Sequence, residues 1–446
     1  MLQTLKNAWK IPELRKKLLF TLFILLIYRL GSVIPVPFID VTTLANYFDS
    51  VLSSTILGLY NAMSGSAFSR ATVLALGIQP YINASIIIQL LTVAIPALER
   101  LAKDGGEDGK KKIERITRYT TVGLGLLMGW AYYMMLRNYS SQISIITSEG
   151  LLPALVIILA FTAGSALVMW LGEQITEFGI GNGISMILFA NIISRLPSMF
   201  RAMWNTAYGW MQNGGLGILW GVLFILCIIV FMVALVGVVV FLTESERKIP
   251  VQYAKRVVGR KMYGGQSSVL PIKLNMTGVM PIIFASSICS LPATIMMFIK
   301  EPTAAGFGKS VYTFFKNISD PSNIVYIVIY FILIIAFAYF YIAISFNPVE
   351  VANNLKKNGG FIPGIRPGKP TSDYISKILS KITLIGAIYL GVIAIFPMIL
   401  TMISKSTFQG IMFGGSSLLI VVGVALETER EIEAQMTMRH YKGFLE

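Results

Sequence analysis

The chain has 446 residues, of which 55% are hydrophobic and 13% are charged, and its mean hydropathy is +0.70. A soluble domain carries about 25% charged residues, so this composition excludes a soluble protein and predicts one that lies in a lipid bilayer. The formal net charge of +15 would suit a nucleic-acid partner, so the placement of the basic residues has to decide what it means.

Apolar runs of membrane-spanning length recur along the whole chain. Ten of them qualify, at residues 18–36, 71–96, 119–136, 151–171, 184–199, 216–242, 274–299, 324–346, 382–402 and 411–426. The first run has the basic start of a secretory signal but lacks a small-residue cleavage site, so we expect it to remain as a span. The pattern predicts an all-α polytopic membrane protein with ten transmembrane helices.

Residues 56–96 fit a simple span poorly, because these forty-one residues carry one charge, Arg70, and are too long for one crossing. The part from residue 71 reads as one full span, whereas the part before it is rich in Gly, Ser and Asn. Non-helical backbone at membrane depth survives only where protein or a water-filled cavity surrounds it. Composition leaves two interpretations open, an amphipathic lead-in at the surface and a re-entrant element inside a pore.

Lysine and arginine are divided unevenly between the two sides of the predicted membrane protein. With the N-terminus inside, 28 of them fall in cytoplasmic segments and 8 in external ones. Because basic loops stay in the cytoplasm, the sequence predicts that both termini are cytoplasmic. The basic excess is therefore first a topology signal and only then a possible docking surface.

Ten spans divide into two sets of five, residues 1–210 and 211–446. Because five is odd, the second set must enter the membrane from the opposite face, as in transport proteins with inverted repeats. Helix-breaking residues interrupt the second span of each set, where such proteins place their transport path. These residues are Gly77 and Pro80 in the first set and Gly278 and Pro281 in the second.

One face of the second span is aliphatic towards the outside and polar towards the cytoplasm. It carries Ile78, Ile82, Ser85, Gln89 and Thr92 at helical spacing. The same spacing pairs Ile184 with Leu188 on the fifth span. This order describes a wettable funnel that narrows to an aliphatic constriction, although lipid contact or helix packing would explain any single one of these residues.

Strings of residues along most of the chain resemble the SecY family of bacterial protein-translocation channels, in the order that the family has them. The strings are ALGIQPYINASIIIQLLTV, WLGEQITEFGIGNGIS, QYAKRVVGR, LPIKLNMTGVMPIIFASS, FNPVEVANNLKKNGGFIPGIRPG and FGGSSLLIVVGVALET. The resemblance implies a channel that passes unfolded secretory polypeptides across the plasma membrane and releases hydrophobic segments sideways into lipid.

The resemblance also implies three sets of channel residues. The family's hydrophobic pore ring falls on Ile78, Ile82, Ile184, Leu188, Ile283 and Ile420. Its plug falls on about residues 57–69, including Leu57, Tyr60, Asn61, Ser64, Gly65 and Ser69. Its lateral gate lies between the second and seventh spans, with Asn83, Ser85, Gln89, Thr92, Asn275 and Thr277.

Two cytoplasmic loops, 243–273 and 347–381, carry the remaining features. The period-two run Ile249, Val251 and Tyr253 predicts a β-hairpin in the first loop. Its Arg256, Arg260 and Lys261 could meet ribosomal RNA phosphates or an acidic motor surface. Topology alone explains most of these charges, but the family match assigns a docking role to Arg366, which Pro and Gly flank in the second loop.

An enzyme fits the sequence poorly, and we expect no catalytic residue, metal site or cofactor. The single histidine, His440, excludes His-based triads, and two near-matches to a phosphate loop have the wrong spacing. An inverted-repeat secondary transporter of a small solute stays open as the alternative, although the spans lack the buried ionisable groups that ion coupling needs. The resemblance implies SecE and SecG subunits, the SecA ATPase, the ribosome, precursors with signal sequences and membrane lipid as partners.

Overall fold

The structure is a computed structural model that describes residues 2–48, 57, 61, 64–103, 105–140, 144–148, 150–212, 216–253, 256–258, 261–263, 267–298, 307–321, 323–403 and 415–442. The helices are α1 (Leu2–Lys10), α2 (Pro12–Gly31), α3 (Val41–Tyr47), α4 (Gln79–Ala94), α5 (Pro96–Lys103), α6 (Gly106–Ser140), α7 (Leu151–Phe178), α8 (Gly183–Ile193), α9 (Leu196–Met211), α10 (Leu216–Glu244), α11 (Met280–Met296), α12 (Phe307–Ser319), α13 (Ile324–Ser345), α14 (Pro348–Lys357), α15 (Lys369–Ile403) and α16 (Gly415–Lys442). The strands are β1 (Glu246–Tyr253), β2 (Arg256–Val258), β3 (Lys261–Tyr263), β4 (Ser267–Lys273) and β5 (Gly360–Phe361).

Five helical stretches of the described chain are long and apolar enough to cross a bilayer. They are Leu151–Phe178, Gly183–Met211, Gly217–Glu244, Ile324–Lys357 and Lys369–Leu400. Gln79–Ala94 and Pro96–Ala102, bent by 105°, form a sixth candidate, and Met280–Met296 is apolar but shorter. The predicted runs 18–36, 119–136 and 411–426 fall on α2, α6 and α16, which join an apolar part to a charged end.

Several predicted span boundaries were wrong. The run 71–96 is helical only from Gln79, because residues 64–78 form successive turns packed inside the protein. The helix that starts at residue 183 pauses after Ile193 and continues as α9 to Met211, well past the predicted end of its run at residue 199. Hydropathy reports the surroundings of a residue, and a buried turn is as apolar as a buried helix.

The interrupted spans of the two halves begin with the same local geometry. Gly77 has φ +54° and Gly278 has φ +61°, and each is followed by a cap residue near ψ 0° and then by a proline in the first turn of the helix. Ile82 and Ile283 each stand five residues after the glycine. The equal spacing makes these two isoleucines equivalent positions of an internal repeat.

Helix packing repeats in the same way. In the first half α6 packs against both α4 and α7, and in the second half α13 packs against both α11 and α15. Between the halves α4 contacts α11, and α8 contacts α16. Contacts between equivalent elements are what a two-fold relation between repeats produces. One large buried cluster contains side chains of both halves.

The first long loop of the second half forms the predicted β-hairpin. β1 and β4 pair antiparallel with Ile249 opposite Leu270, and β5 pairs with the other edge of β1. Ile249 and Val251 are buried against a cluster that includes Ile375 of α15. Their period-two spacing therefore puts both side chains on the face of the sheet that packs on helices.

We predict that Gly77→Ala and Gly278→Ala each lower the free energy of unfolding by about 1–2 kcal/mol, because alanine resists the left-handed backbone conformation. Asparagine, which tolerates this conformation, should cost less at both sites. The measurement is the thermal midpoint of unfolding in detergent.

Gly123→Ala in α6 is the control for this prediction, since an added Cβ there meets nothing within 4 Å. We expect it to leave the midpoint unchanged or slightly raised. Equal midpoints for all three alanine variants would contradict the assignment of a strained, repeated helix start.

Candidate functional site

The six residues of the predicted ring come from four elements and meet in one hydrophobic cluster. Five of them are buried, and Ile184 is half-buried against the same cluster. A Cβ built on Gly172 of α7 would lie 3.7 Å from Ile78 Cδ1 and 3.8 Å from Ile184 N, so the absence of a side chain there lets these residues approach. The cluster joins the start of α4 and α8 of the first half to α11 and α16 of the second.

The chemistry of this cluster suits a barrier that deforms. Branched aliphatic side chains offer an ion no hydrogen bonds, and a narrow aliphatic constriction tends to exclude water. The same side chains make no specific polar contact, so they can part around a chain of any sequence. The arrangement can therefore seal a path and still tolerate varied cargo.

The turns at residues 64–78 are called the inserted segment. Their backbone groups find hydrogen-bond partners inside the protein. Ser64 and Ser69 are buried, as are Leu57 and Asn61 before them. The Phe68 N–H donates to Ser64 Oγ at 3.0 Å, and the Ser69 N–H donates to Asn61 Oδ1 at 3.0 Å. Among the predicted plug residues, Tyr60 lies outside the described residues. Residues 64–78 are therefore packed inside the protein, as the re-entrant interpretation expects.

Two side chains from neighbouring helices tie the inserted segment down. Tyr132 Oη of α6 donates to the Phe68 carbonyl oxygen at 2.6 Å, and its ring lies 4.5 Å from the Phe68 ring. Arg29 Nη1 of α2 donates to the Gly65 carbonyl oxygen at 3.3 Å. Sequence reasoning missed both anchors, because nothing in the sequence pairs residues so far apart.

The predicted gate residues hydrogen-bond locally, although α4 and α11 do contact each other. Gln89 Nε2 donates to Ser85 Oγ at 3.5 Å, and Thr92 Oγ1 donates to the Gln89 carbonyl oxygen at 2.7 Å. Thr277 Oγ1 donates to Asn275 Oδ1 at 3.4 Å, just before α11.

Asn83, the remaining gate residue, contacts α6. Its Nδ2 lies 3.9 Å from Met128 Sδ of α6. The other gate side chains bond within their own segments, and apolar side chains of α4 and α11, such as Ile82, Ile86 and Ile283, share one hydrophobic cluster. A seam of that kind can open without breaking hydrogen bonds of these side chains.

The sequence reasoning also missed Val279, the equivalent of Ile78 in the second half. Val279 is buried in the same cluster as the ring, and a Cβ built on Gly423 of α16 would lie 2.4 Å from its Cγ1. The spacing from Gly278, which matches that of Ile78 from Gly77, would have identified it.

Of the predicted docking residues, Arg256 and Lys261 lie on the paired strands β2 and β3, and Arg260 lies outside the described residues. Arg366 is exposed on the turn after β5, where its carbonyl oxygen accepts a 2.9 Å hydrogen bond from Thr371 Oγ1. This bond fixes the turn and leaves the guanidinium outside.

An ion pair joins α6 and α7 at the end of these helices that we predict to be cytoplasmic. Arg118 Nε lies 2.8 Å from Glu173 Oε1. The hydrogen bond that Arg118 donates to Glu173 raises the pKa of Arg118, so the guanidinium keeps its charge at any physiological pH. The ion pair therefore gives Glu173 a structural role, as a contact between α6 and α7.

This fold, in which two interrupted helices meet at a buried aliphatic cluster, is that of a polytopic membrane channel. The sequence model of the SecY family matches residues 72–429. The protein translocase subunit SecY of Streptomyces scabiei is 45% identical over the full length of both chains.

Solved structures share the fold. One described as a protein-conducting channel has a TM-score of 0.61 at 17% identity, with 96% of each chain covered. Sec61 in a canine ribosome–channel complex from the endoplasmic reticulum has a TM-score of 0.58 at 16% identity, also with 96% of each chain covered.

The chain therefore belongs to the SecY family, and the resemblance seen in its sequence is confirmed. It is a protein-translocation channel and a multi-pass protein of the plasma membrane. Family membership rules out the alternative of a small-solute transporter.

We predict that Tyr132→Phe loosens the inserted segment. The change leaves the Phe68 carbonyl without its buried donor, which costs about 1–3 kcal/mol. Amide hydrogen exchange at residues 64–70 should accelerate by about tenfold or more.

Tyr133→Phe is the matched control, because Tyr133 is partly buried against the hydrophobic cluster that contains Phe68 and Tyr132. It should leave exchange at residues 64–70 unchanged. Equal exchange in both variants would show that the bond to Phe68 does not hold the segment.

Proposed function

We propose that unfolded secretory polypeptides pass through the ring of Ile78, Ile82, Ile184, Leu188, Ile283 and Ile420. The observation that carries the proposal is the meeting of these six side chains, from both halves, in one cluster next to the inserted segment. A path between two repeats runs where their equivalent helices meet, and α4 and α11 meet there. The halves, residues 1–210 and 211–446, then move apart around the polypeptide.

The plug of the closed channel is about residues 57–69, which include the first part of the inserted segment, residues 64–69. Its support is a non-helical backbone held by a few separable contacts, such as those from Tyr132 and Arg29. Displacing the segment costs these hydrogen bonds and leaves the surrounding helices intact. Hydrophobic segments of the cargo leave sideways between α4 and α11, which is supported by the apolar character of that contact.

Both termini and the hairpin face the cytoplasm. The argument is their common position: Thr4 of α1 donates to Glu429 Oε1 at 3.3 Å, and Arg430 of α16 pairs with Glu244 at the start of the hairpin. With 28 basic residues in the segments at this end, the positive-inside rule orients it.

Energy for transport comes from partners, because the sequence offers no complete phosphate loop. The proposed partners are the SecE and SecG subunits, the SecA ATPase and the ribosome. Support for the ribosome is the likeness to Sec61, which was solved in a ribosome–channel complex. The exposed Arg366 and the strands that carry Arg256 and Lys261 are the proposed docking residues.

We predict that Ile82→Asn combined with Ile283→Asn opens a resting ion leak, because amides at these equivalent positions bind water and ions. The measurement is planar-bilayer conductance of the channel without cargo. Ile82→Val combined with Ile283→Val keeps the aliphatic surface and should stay closed. A resting conductance of the asparagine variant equal to that of the valine variant would refute the ring.

We predict that Arg366→Glu reduces ATP-driven transport by at least about tenfold. It removes a charge-assisted bond worth roughly 1.5–3 kcal/mol and adds repulsion. One charge among 28 leaves the orientation unchanged, which a protease-protection assay would check.

Lys369→Glu is the control, because Lys369 is equally exposed three residues further on. It should transport normally with the same motor. An equal loss in both variants would mean that general loop charge matters, and a specific contact at Arg366 would be excluded.

A further inference from the structure

Four arginines surround a cavity at the end of α2, on the side of the ring away from the sheet. The cavity has a volume of about 260 Å³ and is lined by Arg29, Arg70, Arg195 and Arg201, with Ser194 and Ser198 beside them. Within the described part of the chain, no aspartate or glutamate is among the lining residues. Guanidinium groups stay charged at all physiological pH values, so this arrangement attracts an anion.

The arginines come from three parts of the fold. Arg29 stands in the last turn of α2, Arg70 belongs to the inserted segment, and Arg195 and Arg201 lie at the start of α9 and within it. Planar guanidinium groups bind phosphate oxygens in pairs of parallel hydrogen bonds. An anion in this cavity would bridge the inserted segment to the helices on either side.

The cavity lies towards the end of α2 that is opposite the sheet. Lys17 Nζ near the start of α2 donates to Gln435 Oε1 of α16 at 3.1 Å, which fixes that end beside the sheet. Arg29 stands twelve residues after Lys17, about 18 Å further along α2, which is more than half the thickness of the hydrocarbon core.

The surface beside the cavity is apolar. Val33 lines the cavity and is 64% exposed, and its neighbours Leu30 and Ile34 are 62% and 57% exposed. Exposed aliphatic side chains next to a basic cavity fit a ligand with both a phosphate and acyl chains. Four cations would also repel the choline of a neutral headgroup.

We propose that this cavity binds the phosphate group of an anionic phospholipid in the leaflet at that end of the helices. The ligand chemistry is a phosphate oxyanion, and the apolar flank favours lipid over free phosphate as its source. The cavity is separate from the six ring residues, although Gly65, Ser66 and Arg70 of the inserted segment line it.

The test is native mass spectrometry of the full-length chain, purified with its partner subunits and titrated with phosphatidylglycerol or phosphatidylcholine. Phosphatidylglycerol should bind at least about tenfold more tightly. Arg70→Gln combined with Arg201→Gln should reduce that affinity by about tenfold or more. Arg137→Gln removes one exposed charge beyond the cavity lining, at the end of α6, and should change nothing.

A parallel titration with inorganic phosphate separates the sources. Displacement of phosphatidylglycerol by inorganic phosphate would support a phosphate-binding cavity. It would overturn the proposal that the bound phosphate belongs to a lipid. Lipid binding that appears only after the partner subunits are stripped would mean that a protein carboxylate fills the cavity, and would overturn the proposal.

Equal phosphatidylglycerol binding by the wild type and the double glutamine variant would also overturn it. If that variant fails to fold, Arg70→Lys combined with Arg201→Lys keeps both charges and should retain a salt-sensitive part of the affinity. Loss of all preference for phosphatidylglycerol in a folded lysine variant would support the need for guanidinium geometry. Affinity that does not change with salt would contradict a charged site.

Discussion

Backbone N–H and C=O groups in a bilayer have no water to bind, so a non-helical segment at that depth must find its partners inside the protein. Residues 64–78 meet this constraint through their own Ser64, through Asn61 just before them and through Tyr132. The surrounding helices therefore have to enclose the segment. Gly164 of α7 lies so close to the segment that an added Cβ would be 1.8 Å from the Val73 carbonyl oxygen. The channel architecture follows from that enclosure.

The internal repeat explains why the constriction contains residues of both halves. Gly77 and Gly278 start equivalent helices, and the helices meet each other across the interface between the halves. Isoleucines at matched positions therefore converge without any long-range pairing in the sequence. In the proposed channel, an aliphatic meeting point between the two halves gives the closed state its seal and the open state its indifference to cargo.

The sequence predicted those parts of the structure that depend on local pattern. Alternating Ile249 and Val251 predicted the hairpin, and the Gly and Pro residues at 77–80 and 278–281 predicted the interrupted helices. Apolar runs did not reveal that α4 begins only at Gln79, because hydropathy does not distinguish buried turns from buried helix. Nor did they reveal that Asn83 faces α6, or that Arg29 and Arg201 share a cavity, since such contacts depend on tertiary packing.

The central claim is that a translocating chain passes between Ile82 and Ile283. Its most direct test is cross-linking of a polypeptide stalled in transit to single cysteines, in a background that lacks Cys227 and Cys289. Ile82→Cys and Ile283→Cys should both cross-link to the same position of the stalled chain, while Leu226→Cys on the exposed face of α10 should not. Cross-links from Leu226→Cys together with none from the two ring positions would contradict the claim.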